Sequence, residues 1–548
     1  MRRRILWMLP VAAVAVTVAA VGLADSGGGS FTSVPAQVKA AGYAPADVLS
    51  PELRQTIVAQ GSMRLDGAQD PVGWYGYIND APSPSDATLP QMVPATGAPQ
   101  VEAQKTEPDK NTYLVLKDQT GADPGYDYGT HFLFQGHEVG ATLNGTKQSY
   151  ITRINLDADI AHRVTLLATK DTTGAPIQGI DGSTWDPWAK RLLFTTENTG
   201  APTYAAAASY PSTVTDVSGA LGRGGYEGIQ DDSDGNIWIV EDIGGANKPG
   251  ATAKQPNSFV YRYVPAHPGD LQNGKLQVLQ VWNGDHPVTV ESQAAVNAPD
   301  QVALRTYHQS FPTKWVTIHD TSVDGTAPFL ANTLAKAAHA TPFKRPENGQ
   351  FRPGSHFTEF FFDETGDTNA TSVENGTAGG WTSIFKLVQH DPSAGTGQLS
   401  LFYQSTSATV AGLDNVAFLS KNLITFVEDA GDTLHTQRKA LDSGYIWDVT
   451  KDYSNPALQP VRWLGEGRDP SATLDSAFGG FGKNEGDNEI TGVHVSDGNP
   501  GQEGILGAGN PNLNDAKWRW FYTQQHGDNF TWEVFAAGRG SDDQGDDG

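Results

Sequence analysis

From about residue 111 onward, the chain alternates short apolar or aromatic runs with clusters of Gly, Asn and Asp. Such short runs suit β-strands, and the residue types between them favour turns. Helical periodicity is confined to short stretches such as 330–338. The pattern therefore predicts an all-β fold with a few short helices. The clearest runs begin at Tyr113, Arg191, Asn236, Phe259, Phe357 and Leu423.

Four of these strands share one plan, in which an apolar run ends in acidic or amide residues and a glycine follows. Repetition of a strand unit indicates radial symmetry, and strand ends from different blades of a β-propeller meet on one rim. We therefore expect the repeated carboxylates to converge. For any single segment, ordinary turn chemistry is the alternative. The four endings are Glu197-Asn198, Glu241-Asp242, Asp363-Glu364 and Glu428-Asp429.

Composition and charge narrow the class of partner. The chain has 548 residues, with 37 Lys and Arg against 62 Asp and Glu, which gives a formal net charge of −25. This charge provides no net attraction to nucleic acid or anionic lipid, so neither is an expected partner. Cys is absent, which excludes disulfides, thiolate catalysis and Cys-ligated zinc or iron–sulfur centres.

The ends of the chain differ from its middle. Residues 1–24 join a basic start to an uncharged apolar stretch, which predicts a secretory signal peptide and an extracellular protein. The apolar stretch is also long enough to cross a bilayer, so an uncleaved anchor is the alternative. We expect an irregular N-terminal extension over 25–110, the propeller over 111–535 and a disordered acidic tail over 536–548.

Carboxylates gathered from several blades repel one another and acquire raised pKa values unless a cation neutralises them. A metal site is therefore the expected outcome of such a cluster. Ligation by oxygen alone suits calcium, magnesium, manganese or ferric iron. Motifs for zincins, P-loop proteins and serine hydrolases are absent from the sequence, so those enzyme classes lack support.

Two further segments carry candidate chemistry. Glu227 lies in the Gly-rich segment 224–228, one strand away from Glu241, and glycine permits close approach of the backbone there. Arg345 and Glu347 flank a proline, so in an extended segment their side chains point to the same side. Arg345 could then bind a phosphate while Glu347 holds a metal that binds the same phosphate. A surface loop is the alternative for so short a motif.

These segments occur in an order that resembles the PhoX-type alkaline phosphatases, over roughly residues 110–530. That family comprises secreted, metal-dependent phosphomonoesterases on a six-bladed propeller that carry iron and calcium at one rim. The segments that carry the resemblance are Asp181-Gly-Ser-Thr-Trp-Asp-Pro-Trp188, the strand ending Thr196-Glu197-Asn198, Glu227, Arg345-Pro-Glu347, Leu413-Asp414-Asn415 and Glu428-Asp429.

The resemblance implies a six-bladed β-propeller with insertions, in which Arg345 binds phosphate and Glu227 and Glu347 bridge metals. Two departures from the family concern the metals. Asp181 stands where the family has a metal-binding Cys, and Thr196 replaces the first glutamate of a pair. Because an all-oxygen site is harder, it favours calcium or magnesium over iron. The metal ligands that the resemblance implies are Asp181, Glu197, Glu227, Glu347, Asp414, Glu428 and Asp429.

The leading hypothesis is a secreted, monomeric, metal-dependent phosphatase that hydrolyses small phosphomonoesters, with Arg345 on the phosphate. Because the overall charge repels such substrates, their binding would depend on the metals. One alternative is a calcium-dependent lactonase or phytase-like esterase on the same fold, where a neutral lactone would give Arg345 nothing to pair with. Another is a non-catalytic binding propeller that calcium stabilises.

Overall fold

The structure is a computed structural model. It describes residues 31–40, 43–69, 72–76, 92–93, 101–102, 106–138, 142–143, 146–147, 149–246, 253–289, 298–367, 369, 380–468, 489–526 and 529–538. The predicted signal peptide and most of the predicted acidic tail lie outside the described residues. Both therefore stay predictions.

The described residues are mainly β-strands, with a few short helices, as the sequence pattern predicted. The strands are β1 (Val48–Leu49), β2 (Leu53–Ala59), β3 (Arg64–Gln69), β4 (Val72–Trp74), β5 (Met92–Val93), β6 (Val101–Glu102), β7 (Glu107–Val115), β8 (His131–Glu138), β9 (Thr142–Leu143), β10 (Thr146–Lys147), β11 (Tyr150–Asn155), β12 (Val164–Ala168), β13 (Ile180–Asp186), β14 (Arg191–Thr196), β15 (Tyr204–Ala206), β16 (Val214–Asp216), β17 (Tyr226–Asp231), β18 (Ile237–Glu241), β19 (Val260–Pro265), β20 (Gly274–Asn283), β21 (His286–Pro287), β22 (Ser310–Asp320), β23 (Gly349–Phe351), β24 (Glu359–Glu364), β25 (Ser383–Gln389), β26 (Thr396–Gln404), β27 (Leu413–Phe418), β28 (Leu423–Glu428), β29 (Ser443–Asp448), β30 (Val461–Gly465), β31 (Glu489–Ser496), β32 (Arg519–Gln525) and β33 (Phe530–Ala536). The helices are α1 (Ser218–Leu221), α2 (Pro299–Leu304), α3 (Thr321–Asp324), α4 (Ala331–Ala337) and α5 (Gly431–Arg438), and a 3-10 turn spans Gln502–Gly504.

Most strands belong to antiparallel meanders in which chain neighbours pair. These are β7-β8-β11-β12, β13 to β16, β17 to β20, β23 to β26, and β27 to β30. A further sheet runs β31-β32-β33-β2. Strand β22 pairs with both β20 and β26, and it thereby merges two meanders into one ten-stranded sheet.

The first strand of each meander contacts the first strand of the next. The contacts run β7 to β13, β17, β23, β27 and β31, and β31 returns to β7. The first strands therefore form a ring around one central axis, which confirms a propeller-like arrangement. The expected number of six blades stays a prediction, because β22 joins two of the meanders at their outer edges.

The apolar core lies between sheets and not at the central axis. One cluster packs Trp238 of β18 against Trp315 and Phe351, with ring centroids 5.1 and 5.0 Å apart. Another packs Trp463 of β30 against Trp520 of β32, at 4.3 Å. Because apolar side chains fill the spaces between neighbouring sheets, the axis is left to polar residues.

The segment expected to be an irregular extension contributes strands to the sheets. Strand β2 pairs with β33 along its length, so an N-terminal strand completes a sheet whose other members come from the C-terminal part of the chain. Strand β3 joins the edge of β12, and β1 joins β30. The sequence did not reveal these strands, because β1 is only two residues long, the apolar positions of β2 do not alternate with polar ones, and β3 is mostly polar. Within the described residues, no helix has the length and apolar character needed to span a membrane.

Substitutions in β2 test whether this strand is part of the folded core. Leu53 is 2% exposed, whereas Ile57 on the same strand is 39% exposed. We expect Leu53→Ala to lower the free energy of unfolding by about 2–5 kcal/mol, because it leaves a buried cavity. The matched control Ile57→Ala should change it by about 0.5 kcal/mol or less. Urea unfolding measures both, and equal effects would place β2 outside the core.

Candidate functional site

A cavity of about 230 Å³ opens at one end of the ring of first strands. Its walls come from the beginnings of β7, β13, β17, β27 and β31, from the ends of β8, β14, β28 and β32, and from the segment before β23. The lining is almost entirely acidic, with ten carboxylates, one arginine and one histidine. The lining residues are Glu107, Asp109, Glu138, Asp181, Glu197, Glu227, Arg345, Glu347, Asp414, Asp429, Glu489 and His526.

A repeated irregularity in the sheets aims several of these carboxylates at the axis. In β13, β17 and β27 the first residue pairs with the neighbouring strand, and the register shifts immediately afterwards. The residues at the shift are Asp181, Glu227 and Asp414. Asp109 lies at the corresponding shift in β7. Because a bulge leaves its extra residue unpaired and re-aims the side chain, four sheets present a carboxylate from the same position.

Two glycines let the first strands approach closely enough for the carboxylates to meet. A Cβ added at Gly182 would lie 2.0 Å from the backbone oxygen of Glu227. A Cβ at Gly228 would lie 2.9 Å from the backbone oxygen of Glu347, to which the Gly228 N–H donates at 2.7 Å. Any larger residue at either position would separate the strands that carry these acids.

The carboxylates form three groups, each able to offer three oxygens within 4.8 Å of one another. Asp181 is shared by the first two groups and Glu227 by the last two, so the groups form a continuous row. The Oδ1 atom of Asp181 is buried and has no hydrogen-bond partner among the described residues. An orphaned buried oxygen in an all-oxygen donor set fits a hard metal ion. The groups are Asp109-Glu138-Asp181, Asp181-Glu197-Glu227 and Glu227-Glu347-Asp414.

Burial and mutual repulsion disfavour the ionised forms of these acids. Burial, and then the charge of Asp181, raises the pKa of Glu227 well above its usual value. Burial raises the pKa of Asp109 and of Asp429 to about 6. Glu197 is the exposed member of the three groups and marks the open side of the cavity, yet desolvation of its carboxyl and then the charge of Asp242 raise its pKa to about 7. Without a cation, the buried acids therefore retain their protons to a higher pH than exposed carboxyls do.

Two basic side chains offset part of this charge. Lys110 is buried beside the row, and its ammonium donates to the Val416 backbone oxygen at 3.5 Å. Desolvation lowers its pKa to about 8, against the opposing effect of Asp414 and Asp109. Arg345 lies in the cavity wall, paired with Asp242 at 2.8 Å and with Glu347 at 3.1 Å.

Most residues singled out in the sequence come together here. Asp181, Glu197, Glu227, Arg345, Glu347, Asp414 and Asp429 all line the cavity. Glu428 does not line it. Its carboxylate accepts from the Ala411 N–H at 2.8 Å and pairs with Arg438 at 3.1 Å. Consecutive residues at a strand end face different sides, so Asp429 reaches the cavity and Glu428 stays inside the sheet.

The same division holds for two other repeated endings. Glu241 accepts from the Phe259 N–H at 3.0 Å and from Asn332 at 2.9 Å. Glu364 accepts from the Lys344 N–H at 2.7 Å. Neither lines the cavity. The last residue of each of these strands is therefore held by backbone N–H groups and does not reach the site.

Sequence analysis missed several residues that line the cavity. Asp109 lies two residues before the predicted start of the propeller at residue 111, near the start of β7. Glu489 begins β31 in the same way. Glu138 is a single acid at the end of β8, and His526 follows the amide end of β32, so neither strand end has the acidic pair or acid–amide pair of the four repeated segments. The missed lining residues are Glu107, Asp109, Glu138, Glu489 and His526.

No protein-family model and no curated protein sequence matches the chain. Among solved structures, one of Pseudomonas fluorescens PhoX in complex with vanadate, a transition state analogue, is similar with a TM-score of 0.52 and 11% identity, over 92% of this chain and 98% of that one. The WD40 domain of Toxoplasma gondii coronin aligns with a TM-score of 0.36 and 8% identity, over 92% and 90% of the two chains. The PhoX likeness confirms the resemblance found in the sequence, at the level of the fold.

The raised pKa values predict how pH acts on the metal-free protein. Asp109 and Asp429, with folded pKa values of about 6, hold protons that an unfolded carboxyl releases near pH 4. Their contribution to stability is therefore present below about pH 4 and is lost as the pH rises through about 6. In chelator, we expect the Tm to be lower at pH 8 than at pH 5. Thermal unfolding measures this.

The matched variant Asp429→Asn should reduce that pH dependence, because it removes one buried ionisation. Adding calcium at pH 8 should raise the Tm, since an ion bound only by the folded state stabilises it. A Tm that is equal at both pH values in chelator, for both proteins, would contradict the burial of ionisable carboxylates in the cavity.

Proposed function

We propose that this chain is a secreted, metal-dependent phosphatase that hydrolyses phosphomonoesters at the acidic cavity of a six-bladed propeller. The observation that carries the proposal is the row of three carboxylate groups, sharing Asp181 and Glu227, with Arg345 in the same cavity wall. A phosphoryl group binds well where metal ions and a guanidinium lie side by side, because both carry positive charge. The PhoX neighbour, whose structure contains vanadate, supports the same chemistry.

The six-blade count is supported by the ring of first strands and by the distribution of the core. In this interpretation, β22 is an insertion that bridges two blades at their outer edges, and β2 closes the ring by completing the last blade. Apolar clusters lie between successive sheets all the way around the ring. A ring closed by a strand from the other end of the chain is a common way to remove exposed sheet edges.

The donor set favours calcium or magnesium. Every ligand in the three groups is a carboxylate oxygen, and hard cations prefer such ligands. Iron is less favoured, because Asp181 supplies an oxygen where the resembling family has a thiolate. When bound, such ions neutralise the charge of a phosphoryl group and activate an oxygen nucleophile.

The chain's own residues would bind and orient the substrate. Arg345 would present positive charge to the phosphoryl oxygens, and the buried acids would hold the metal ions. The cavity, at about 230 Å³, is smaller than the roughly 300–1,000 Å³ of typical small-molecule sites. It therefore suits the phosphoryl group, with the organic part left near Glu197 at the open side. We propose His526, which lines the cavity with its Nε2 3.3 Å from Glu489, as the group that protonates the leaving oxygen.

Turnover of p-nitrophenyl phosphate, with elemental analysis, tests the proposal. We expect stoichiometric calcium or magnesium and turnover that chelation abolishes. Glu227→Gln should lose metal and activity together, since Glu227 belongs to two of the groups. Arg345→Ala should lower kcat/KM by about 100-fold or more, because the lost contact acts on the transferred group.

Other outcomes would favour the other functions. Bound calcium with lactone hydrolysis that Arg345→Ala spares would indicate a lactonase. Calcium that raises the Tm without turnover of any ester would indicate a binding propeller. A protein that binds no cation at all would remove the basis of the proposal.

Secretion has its own test. We expect the mature protein in the culture medium to begin at Asp25, because the small residues before it suit cleavage after Ala24. Intact-mass analysis of the secreted protein measures this. A protein that keeps residues 1–24 and sediments with membranes would indicate an anchor.

A further inference from the structure

The guanidinium of Arg345 has most of its donors already occupied. Its Nε donates to both carboxylate oxygens of Asp242, at 2.8 and 2.9 Å, and its Nη2 donates to Asp242 Oδ2 at 2.8 Å. Nη2 also lies 3.1 Å from Glu347 Oε1. Among the described residues, Nη1 has no hydrogen-bond or ion-pair partner. One nitrogen of the fork is therefore left for a ligand.

Asp242 is itself held firmly. It directly follows β18, and its backbone N–H donates to the Gly225 backbone oxygen at 2.7 Å. The preceding residue, Glu241, is fixed by the Phe259 N–H. The Asp242 side chain is 5% exposed. Arg345, in contrast, has a φ of 59°, a left-handed conformation that residues other than glycine rarely adopt. The rigid partner of the pair is therefore the aspartate.

Glu347 couples this pair to the metal ligands. Its carboxylate faces Arg345 with Oε1, and it also belongs to the group with Glu227 and Asp414. If Arg345 were released from Asp242, other carboxylates in the cavity could accept two hydrogen bonds from its guanidinium, as Asp242 does. Nη2 already contacts Oε1 of Glu347, so a released guanidinium would take the second oxygen of Glu347 as well, which a metal ion needs.

We propose that Asp242 is a positioning residue, which limits the contact between the Arg345 guanidinium and Glu347 to the single nitrogen Nη2 and leaves Nη1 free for an oxyanion. The second half of this inference rests on the proposed phosphatase function, whereas the first half concerns cation binding alone. Asp242 occupies the same place after its strand as Glu197 and Asp429 do after theirs. At this position Asp242 binds an arginine, Arg345, and does not bind a metal ion.

Calcium titration calorimetry on four proteins tests the first half. These are the wild type, Asp242→Ala, Arg345→Ala and the double variant, compared as a double-mutant cycle. We expect Asp242→Ala to weaken calcium binding about tenfold, since the freed arginine competes for Glu347. In the Arg345→Ala background, the same change should have little effect, because the competitor is gone.

A simple loss of negative charge predicts a different result. If Asp242 acts only by its charge, its removal weakens calcium binding equally in both backgrounds, and that outcome would overturn the proposal. Asp242→Asn, which keeps the shape of the side chain, repeats the cycle in case the alanine variant does not fold. The matched control is Glu533→Gln, which breaks the same Nε and Nη2 fork on Arg519 at the start of β32, at the opposite end of its sheet, and should leave calcium affinity unchanged.

Inhibition by inorganic phosphate tests the second half. In the calcium-loaded protein, Asp242→Asn should raise the inhibition constant and KM about tenfold with a smaller change in kcat, and Asp242→Glu should recover part of the loss. If Asp242→Asn changes KM and kcat by equal factors and Asp242→Glu restores neither, the positioning role of Asp242 is contradicted. A wild type that turns over no ester would defeat the proposed function and leave the calorimetric result standing.

Discussion

The dominant physical constraint on this molecule is the confinement of ten carboxylates in one cavity of about 230 Å³. Like charges in a partly dry space cost free energy, which the protein must offset or avoid through protonation. Burial and neighbouring charge raise the pKa of Asp181, Glu227 and Asp414. An unfavourable cluster of this kind persists only where the surrounding structure enforces it, and such clusters are typical of functional sites.

The contacts between neighbouring sheets hold these carboxylates close together. Register shifts at the start of several first strands aim an acid inward, and Gly182 and Gly228 let adjacent strands come into contact. The apolar core lies away from the axis, between the sheets, where tryptophans and phenylalanines pack. Because the protein has no disulfides, the free energy gained from this packing must offset the unfavourable free energy of the clustered carboxylates. The site is thus a property of the closed ring and not of any single sheet.

How far the sequence predicted this arrangement differs from residue to residue. Short apolar runs predicted the β fold, and the acid-glycine pattern pointed to Glu197 and Asp429. The same pattern also pointed to Glu428, because sequence alone does not show which of two successive acids faces the axis. Strand β2 was missed, since its pairing with β33 joins residues far apart in the chain. Glu138 and His526 were missed because only the closed ring brings them to the cavity.

The alternation at strand ends explains why paired acids recur. Glu241, Glu364 and Glu428 accept backbone N–H groups inside their sheets, and each thereby fixes the end of a strand. The residue after that point is held at a defined distance from the axis. In two sheets it is an acid that lines the cavity, Glu197 or Asp429, and in a third it is Asp242, which holds Arg345. Thr196 ends its strand without a carboxylate, and its neighbour Glu197 is the exposed member of the row. In the Glu241-Asp242 and Glu428-Asp429 pairs, the first acid thus holds the strand end and the second contacts Arg345 or lines the cavity, so the loss of the first acid would loosen the site without removing a ligand.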